Sequence, residues 1–302
     1  MTFSDRTRYP PMPIIVGAPR SGTTLLRFML DSHPDLAIPP ETGFLVPCAQ
    51  LTGEGTNVCE RFFQTVTGYP SEAPACHDFQ IPADMFRARL AEIEPFTVAD
   101  GIRVFYQLYA SRLGKSRWGD KTPLYCMHLQ AIQSLLSEAH FLHIIRGGRD
   151  VALSLRPLWF SPGRDIETLA TQWRQCVTTG RRQGSLCAHY MEVRYEQLIE
   201  DSREVLKGIC EFLSLNYDDR MLRYHEFTPE RLREHLGRVR PDGTVVVSHE
   251  QRLRQQYRTT QPPDRSRVFA WKQEMRRDEQ RRFEAIAGDV LREFGFAAAD
   301  PA

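Results

Sequence analysis

Apolar residues along this chain come in two rhythms. In the first, short unbroken runs are closed by Gly, Pro or a charge, as in Pro13–Gly17 (PIIVG) and Phe141–Ile145 (FLHII). Runs of this length between breakers read as buried strands. Met191–Tyr195 (MEVRY) alternates and predicts a further strand, and Leu36–Ile38 predicts a shorter one that ends at Pro39-Pro40-Glu41-Thr42-Gly43. The second rhythm is helical. Thr23–Asp31 carries Leu25, Leu26, Phe28, Met29 and Leu30, and His33-Pro34 stops it. Gln197–Leu213 is amphipathic, with Leu198, Val205, Leu206, Ile209, Phe212 and Leu213 on one stripe. Helices are also predicted from Arg149 onward and over Arg277–Phe294. Between about Phe44 and Arg117, loops bearing Gly and Pro alternate with helical patches at Ala83–Ile93 and Ile102–Leu113. Strands alternating with helices predict an α/β fold of three layers, a central, mostly parallel sheet flanked by helices. The chain is read as one domain over 1–302, with its core at about 13–45 and 118–300. The stretch 44–117 is a largely helical excursion on the substrate side.

Composition narrows the class without naming it. The 302 residues are 41% apolar and 25% charged, ordinary for a globular protein. A formal net charge of +1 gives no global field for nucleic acid or membrane. The charge is uneven, however. Arg231–Arg282 holds 14 Lys and Arg against 7 Asp and Glu. Such a run is either a solvated helical surface or a segment that closes over an anion. Lysine is scarce, with Lys115, Lys121, Lys207 and Lys272 against 35 arginines, so a lysine inside a motif stands out. The seven cysteines, Cys48, Cys59, Cys76, Cys126, Cys176, Cys187 and Cys210, show no C-x-x-C spacing and read as reduced thiols. The N-terminal MTFSDRTRYPPMP has no apolar signal region, and no run of 18 apolar residues occurs, so a cytoplasmic location without a membrane span is expected.

The chemistry begins at Val16–Leu25, VGAPRSGTTL. A phosphate-binding loop of the P-loop kind reads G-x-x-x-x-G-K-[ST], its lysine reaching the β- and γ-phosphates. Here Gly17 and Gly22 keep the spacing and Thr24 the hydroxyl position, but Thr23 replaces the lysine. Strand, Gly-bearing turn and helix N-terminus still make an anion site, because backbone N–H groups and the helix dipole point outward. Arg20 can fork onto two oxygens. The end of the second strand carries Arg146-Gly147-Gly148-Arg149-Asp150, a cation where a nucleotide triphosphatase places an acidic metal ligand. Asp150 is placed to start the following helix. Two anion sites without a metal ligand point to 3′-phosphoadenosine 5′-phosphosulfate (PAPS). Its sulfuryl group carries less charge than a γ-phosphoryl group, so fixed hydrogen-bond donors can stabilise its transfer.

At these residues the chain resembles the PAPS-dependent sulfotransferases, in the branch of the tyrosylprotein sulfotransferases and many bacterial enzymes. Gly17-Ala18-Pro19-Arg20-Ser21-Gly22-Thr23-Thr24-Leu25 is similar to that family's 5′-phosphosulfate loop, and Ile145–Ser154 (IRGGRDVALS) to its 3′-phosphate motif. The resemblance covers roughly 13–45 and 118–215, with weaker support near 258–275. It implies a P-loop-like fold, Arg146 and Ser154 on the 3′-phosphate, and Tyr195 of Val193–Leu198 (VRYEQL) bordering the nucleotide. Gly17, Pro19, Arg20, Ser21, Gly22, Thr23 and Thr24 would cradle the phosphosulfate, with no metal required. Glu41, in Pro40-Glu41-Thr42, would be the base that takes the proton of a hydroxyl acceptor as its oxygen attacks sulfur in line. His33 is its rival. Lys121, in Trp118–Pro123 (WGDKTP), would support charge on the leaving phosphate, leaving 3′,5′-ADP (PAP). Ser266–Lys272 occupies the place where the family closes a loop over the nucleotide, without the glycines frequent there. The acceptor class stays open among carbohydrate, lipid and secondary metabolite. Two other readings remain, a P-loop kinase of a small metabolite and a nucleotide-binding module without catalysis.

Overall fold

The apolar runs meet as neighbours in one parallel sheet. The structure, a computed structural model, describes residues 9–52 and 56–296. The first eight residues of the polar N-terminal stretch and the last six of the proposed 1–302 domain lie outside them. In chain order, β1 (Met12–Val16) leads into α1 (Thr23–Asp31), and β2 is Leu36–Ala37. The excursion supplies α2 (Leu45–Ala49), α3 (Thr56–Gly68), α4 (Ala83–Ala91) and α5 (Val98–Arg112). Then follow β3 (Arg117–Trp118), β4 (Asp120–Lys121), α6 (Leu129–Leu135), β5 (Ala139–Ile145), α7 (Gly148–Leu155) and α8 (Ile166–Gly184). After β6 (Tyr190–Arg194) come α9 (Tyr195–Glu200), α10 (Ser202–Phe212) and α11 (Tyr224–Leu232). A hairpin of β7 (Arg238–Val239) and β8 (Val245–Val247) precedes α12 (His249–Gln256), α13 (Trp271–Glu274) and α14 (Arg277–Glu293).

The central sheet runs β4-β1-β5-β6 with every pair parallel. Its register pairs Ile15 with Lys121, Val16 with His143 and Ile145 with Arg194. Side chains along a strand alternate between faces, and the core divides accordingly. Ile14, Val16, Phe141 and Ile145 pack with Val151 of α7, Trp173 of α8 and Phe283 of α14. Ile15, Leu142, Ile144 and Val193 pack with Leu26 of α1, Leu198 of α9 and Leu206 of α10. The excursion's Phe44, Phe62, Phe86, Phe105 and Tyr106 belong to the first of these clusters. Among the described residues, no helix is long and apolar enough to cross a membrane. None of the cysteines is in a disulfide.

Two expected elements differ. The stripe read as one helix over Gln197–Leu213 is two, α9 and α10. Asp201, at φ −136 and ψ 65, ends the first and caps the second by accepting the Glu204 N–H at 3.4 Å. The short strand at Leu36 does not join the central sheet. It pairs with β3 in a separate two-stranded parallel ladder.

Candidate active site

All four central strands are parallel, so their C-terminal ends share one edge, where open α/β sheets bind ligands. Lys121 ends β4, Gly17 follows β1, Arg146 follows β5 and Tyr195 follows β6. The sheet therefore gathers residues separated by up to 178 positions in sequence along one line.

The turn after β1 is built on backbone conformations that side chains resist. Gly17 has φ 151, and a Cβ there would lie 2.4 Å from the Ile144 carbonyl oxygen. Gly22 has φ 101, and a Cβ there would lie 2.4 Å from the Tyr195 ring. Between them Ser21 N–H closes a turn on the Ala18 carbonyl at 3.1 Å, and Arg20 takes φ 71. Gly22 is the N-cap of α1 and makes no side-chain cap hydrogen bond, and Thr23 and Thr24 form the helix's first turn. Pro19, Arg20 and Thr24 are half-buried on the loop, and Ser21 and Thr23 are buried.

The second anion place meets the first. Arg20 Nε donates to Ser154 Oγ at 3.2 Å. Arg146 Nη1 donates to the Arg20 carbonyl at 3.2 Å, and its guanidinium lies 4.4 Å over the Tyr195 ring. The structure thus brings Arg20, Ser154, Arg146, Tyr195 and the glycine loop together. Burial, then the neighbouring Arg146, brings the Arg20 guanidinium down to about 10, which leaves it cationic at neutral pH. Two buried polar atoms here, Ser21 Oγ and Arg146 Nε, have no hydrogen-bond partner among the described residues. Buried donors are normally paired, so this set suits a bound anion, as a phosphosulfate and a 3′-phosphate require. Glu196 completes the end of β5 by accepting the Gly147 N–H at 2.9 Å.

Glu41 and Lys121 form an ion pair, Nζ to Oε2, at 3.0 Å. The lysine side chain is 7% exposed and the glutamate 51%, so the pair has one buried and one open end. His33 is placed otherwise. Its Nε2 engages the Asn216 carbonyl at 2.7 Å and its Nδ1 accepts the Asp35 N–H at 3.1 Å. With both nitrogens on backbone it ties the end of α1 to the loop after α10.

Asp150 does not start α7 as its position suggested. Gly147 holds the N-cap, and Asp150 lies within the first turn. Its carboxylate reaches the Arg-rich segment instead, accepting the Phe269 N–H at 3.0 Å and the Trp271 N–H at 2.8 Å. Arg146 Nη2 donates to the Arg267 carbonyl at 2.8 Å, and Arg149 lies 3.6 Å over the Trp271 ring while pairing with Glu284 at 2.8 Å. Residues 267–271 are therefore docked on α7, beside the 3′-phosphate candidates. Arg258, unread in the sequence, lies close enough to help lower the Arg20 pKa. Nothing in a chain with 35 arginines singles it out.

The sulfotransferase family model matches residues 11–219. The nodulation protein NoeE of Sinorhizobium fredii is 33% identical over 156 residues, 50% of this chain and 33% of that protein. A protein-tyrosine sulfotransferase of Drosophila melanogaster is 28% identical over 252 residues, 80% of this chain and 45% of the fly protein. The chain thus spans a third to under half the length of these relatives. Among solved structures, the sulfotransferase domain of the Synechococcus PCC 7002 olefin synthase superposes with a TM-score of 0.60 at 21% identity, over 93% of this chain and 96% of that one. The sulfotransferase domain from the curacin biosynthetic pathway gives 0.60 at 19% identity, over 94% and 98%.

Proposed function

The chain belongs to the sulfotransferase family, and on that premise we propose that it moves the sulfuryl group of PAPS to a hydroxyl acceptor. The observation that carries this reading is the pair of adjoining anion places. Arg20 lies on the loop after β1 and Arg146 follows the neighbouring β5, and Ser21 Oγ and Arg146 Nε are buried there with no hydrogen-bond partner among the described residues. The loop amides, Ser21, Thr23, Thr24 and Arg20 hold the phosphosulfate. Arg146 and Ser154 hold the 3′-phosphate, and Tyr195 borders the nucleotide. Glu41 takes the acceptor's proton as the acceptor oxygen bonds to sulfur. The bond from sulfur to the phosphate oxygen breaks, PAP leaves, and Lys121 stabilises the charge on it. The excursion shares the sheet's core, which supports reading the chain as one domain whose acceptor side is formed by residues 44–117.

The test is thermal stabilisation by PAP against ATP, both with EDTA. A ligand that binds only the folded state adds about 2.7 kcal/mol at a hundred times its Kd. A shift with PAP, lost in Arg146→Ala, is expected. A shift only with ATP and added Mg²⁺ would sink the reading and put a kinase first. Turnover is then measured with radiolabelled PAPS against an oligosaccharide, a long-chain alcohol and, given the relatives' names, a tyrosyl peptide. Glu41→Gln is expected to keep PAP binding and lower kcat by about 10²–10⁴-fold. Unchanged turnover in that variant would remove Glu41 from the chemistry.

A further inference from the structure

Beside the ion pair lies a second contact between the same two chain segments. Asp120 is fully buried on β4, next to Lys121. Its Oδ2 accepts the hydroxyl of Thr42 at 2.6 Å and the hydroxyl of Tyr106, on α5, at 2.7 Å. Successive residues of a strand point to opposite faces, and the stretch at Glu41-Thr42 matches that alternation. Glu41 meets Lys121 on one side and Thr42 meets Asp120 on the other, like two rungs between parallel rails. The donors can be accounted for. Thr42 has one hydroxyl proton, and the 2.6 Å contact with the carboxylate takes it. The Tyr125 hydroxyl, 3.2 Å from Thr42 Oγ1, therefore donates to Thr42 and accepts the Leu45 N–H at 2.8 Å. Gly43 N–H lies 3.4 Å from Thr122 Oγ1. The loop after β2 is thus bound to the β4 strand and the turn that follows it at three successive points.

This arrangement is costly. Burial raises the Asp120 pKa, and Oδ1 has no hydrogen-bond partner among the described residues. A buried carboxylate with an idle oxygen is a poor way to stabilise a core. It is a good way to fix two hydroxyls, because a charged acceptor forms shorter and stronger hydrogen bonds than a neutral one.

We propose that the Thr42–Asp120 contact is the positioning element of this site, holding the Pro39–Gly43 loop on β4 so that Glu41 and Lys121 face each other. The proposal rests on the sulfotransferase reading for the roles of Glu41 and Lys121, but the clamp itself is measurable without it.

The experiment uses the full chain and three variants. Thr42→Val removes the donor and keeps the shape. Thr42→Ser restores the donor. Asp120→Asn keeps an acceptor oxygen but removes its charge. Hydrogen exchange of the peptide spanning 39–45, the melting temperature, PAP binding, and kcat and KM with PAPS and the best acceptor of the panel are compared. In Thr42→Val, exchange at 39–45 is expected to rise about 10-fold or more, a local opening confined to that loop. Its kcat is expected to fall about 10²-fold, as misplacement of a reacting group does, while PAP binding stays near wild type and the melting temperature falls modestly, because buried Asp120 loses a donor. Thr42→Ser recovers both readouts, and Asp120→Asn falls between. Unchanged exchange in Thr42→Val overturns the clamp. Faster exchange with unchanged kcat overturns its positioning role. The two readings fail separately. If Glu41→Gln keeps its kcat while Thr42→Val loses it with faster exchange, the base assignment falls and the clamp stands as setting Lys121. If Glu41→Gln loses its kcat while Thr42→Val keeps it, the base stands and the positioning role falls.

Discussion

At the scale of single residues, the site turns on what has no side chain as much as on what does. Gly22 sits at φ 101 with the Tyr195 ring where a Cβ would go. That close approach lets Tyr195, with Arg146 stacked on it, pack directly against the anion loop. Gly22→Ala meets two penalties, the left-handed backbone, about 1–2 kcal/mol, and a clash with an aromatic ring held in the core. Gly114 is a control, since it has φ 67 with open space around its Cβ position. Gly114→Ala is expected to cost only about 1 kcal/mol, with PAP binding intact. Gly22→Ala is expected to lower the melting temperature by about 4 °C or more and to abolish stabilisation by PAP. Equal effects of the two alanines would show that the Tyr195 contact contributes nothing. Spacing alone exposes Gly17 and Gly22 in the sequence, because a tight turn before a helix needs them. Spacing does not expose Glu196 as the acceptor for Gly147 N–H, since a buried glutamate and a surface one look alike in a string of letters.

At the scale of elements, strong periodicity transmits well. Thr23–Asp31 begins and ends where its apolar stripe and His33-Pro34 place it, and Arg277–Glu293 stops one residue before the expected end. Where the stripe is made of weakly apolar residues it is missed. The 19-residue α8 buries Ile166, Leu169, Ala170, Trp173, Cys176, Val177, Gly180 and Gly184 at helical spacing, but small residues fill much of that face. Gly180 and Gly184 are small for a reason, because a Cβ would strike His143 or Tyr190. Conversely, a continuous stripe over 197–213 hides a break, although Asp201-Ser202-Arg203-Glu204 carries the D-x-x-E signature of a helix start. Asp150 misled for a related reason. An acid in a first turn suggests a cap, and only the fold brings Phe269 and Trp271 onto it. Those two bonds to a carboxylate are worth about 1.5–3 kcal/mol each, and they dock residues 267–271 on α7. Asp150→Ala is therefore expected to speed tryptic cleavage after Arg265 and Arg267 about tenfold and to weaken PAP binding. If cleavage there is unchanged, the segment is held by other contacts, such as Arg149 on Trp271.

At the scale of the whole molecule, the strand that ends in Arg146 also carries the fold's sensitivity to acid. β5 lies between β1 and β6, and His143 at its middle is fully buried. Its Nδ1 meets the Tyr190 hydroxyl at 2.7 Å, and its ring packs against Gly180 of α8. Burial brings His143 down from 6.5 to about 4, against an opposing pull from Glu192 and with a smaller push from Arg181. His140, three residues earlier on the same strand and stacked on His189 at 3.9 Å, is also brought to about 4, mainly by burial. Both are neutral in the folded chain at pH 5–6, where the unfolded chain binds a proton at each. Unfolding therefore takes up protons, and stability falls as pH drops from about 6.5 to about 4. A fully buried histidine that titrates only on unfolding contributes a slope of up to about 1.4 kcal/mol per pH unit within that window. Urea unfolding at intervals between pH 7.5 and pH 4, for wild type and His143→Gln, measures it. The variant is expected to be less stable at neutral pH, having lost a packed ring and a hydrogen bond to Tyr190. Its stability should nevertheless fall less steeply below pH 6.5, by one proton's share of the slope. The difference between the two curves removes the carboxylates common to both, including buried Asp120, Asp150 and Glu196, whose raised pKa values work in the opposite sense. Parallel curves would show that His143 is protonated in the folded sheet, which would require the β5–β6 region to open at mild acidity. Because Arg146 and Tyr195 sit at the ends of those two strands, PAP binding would then fail in the same pH range.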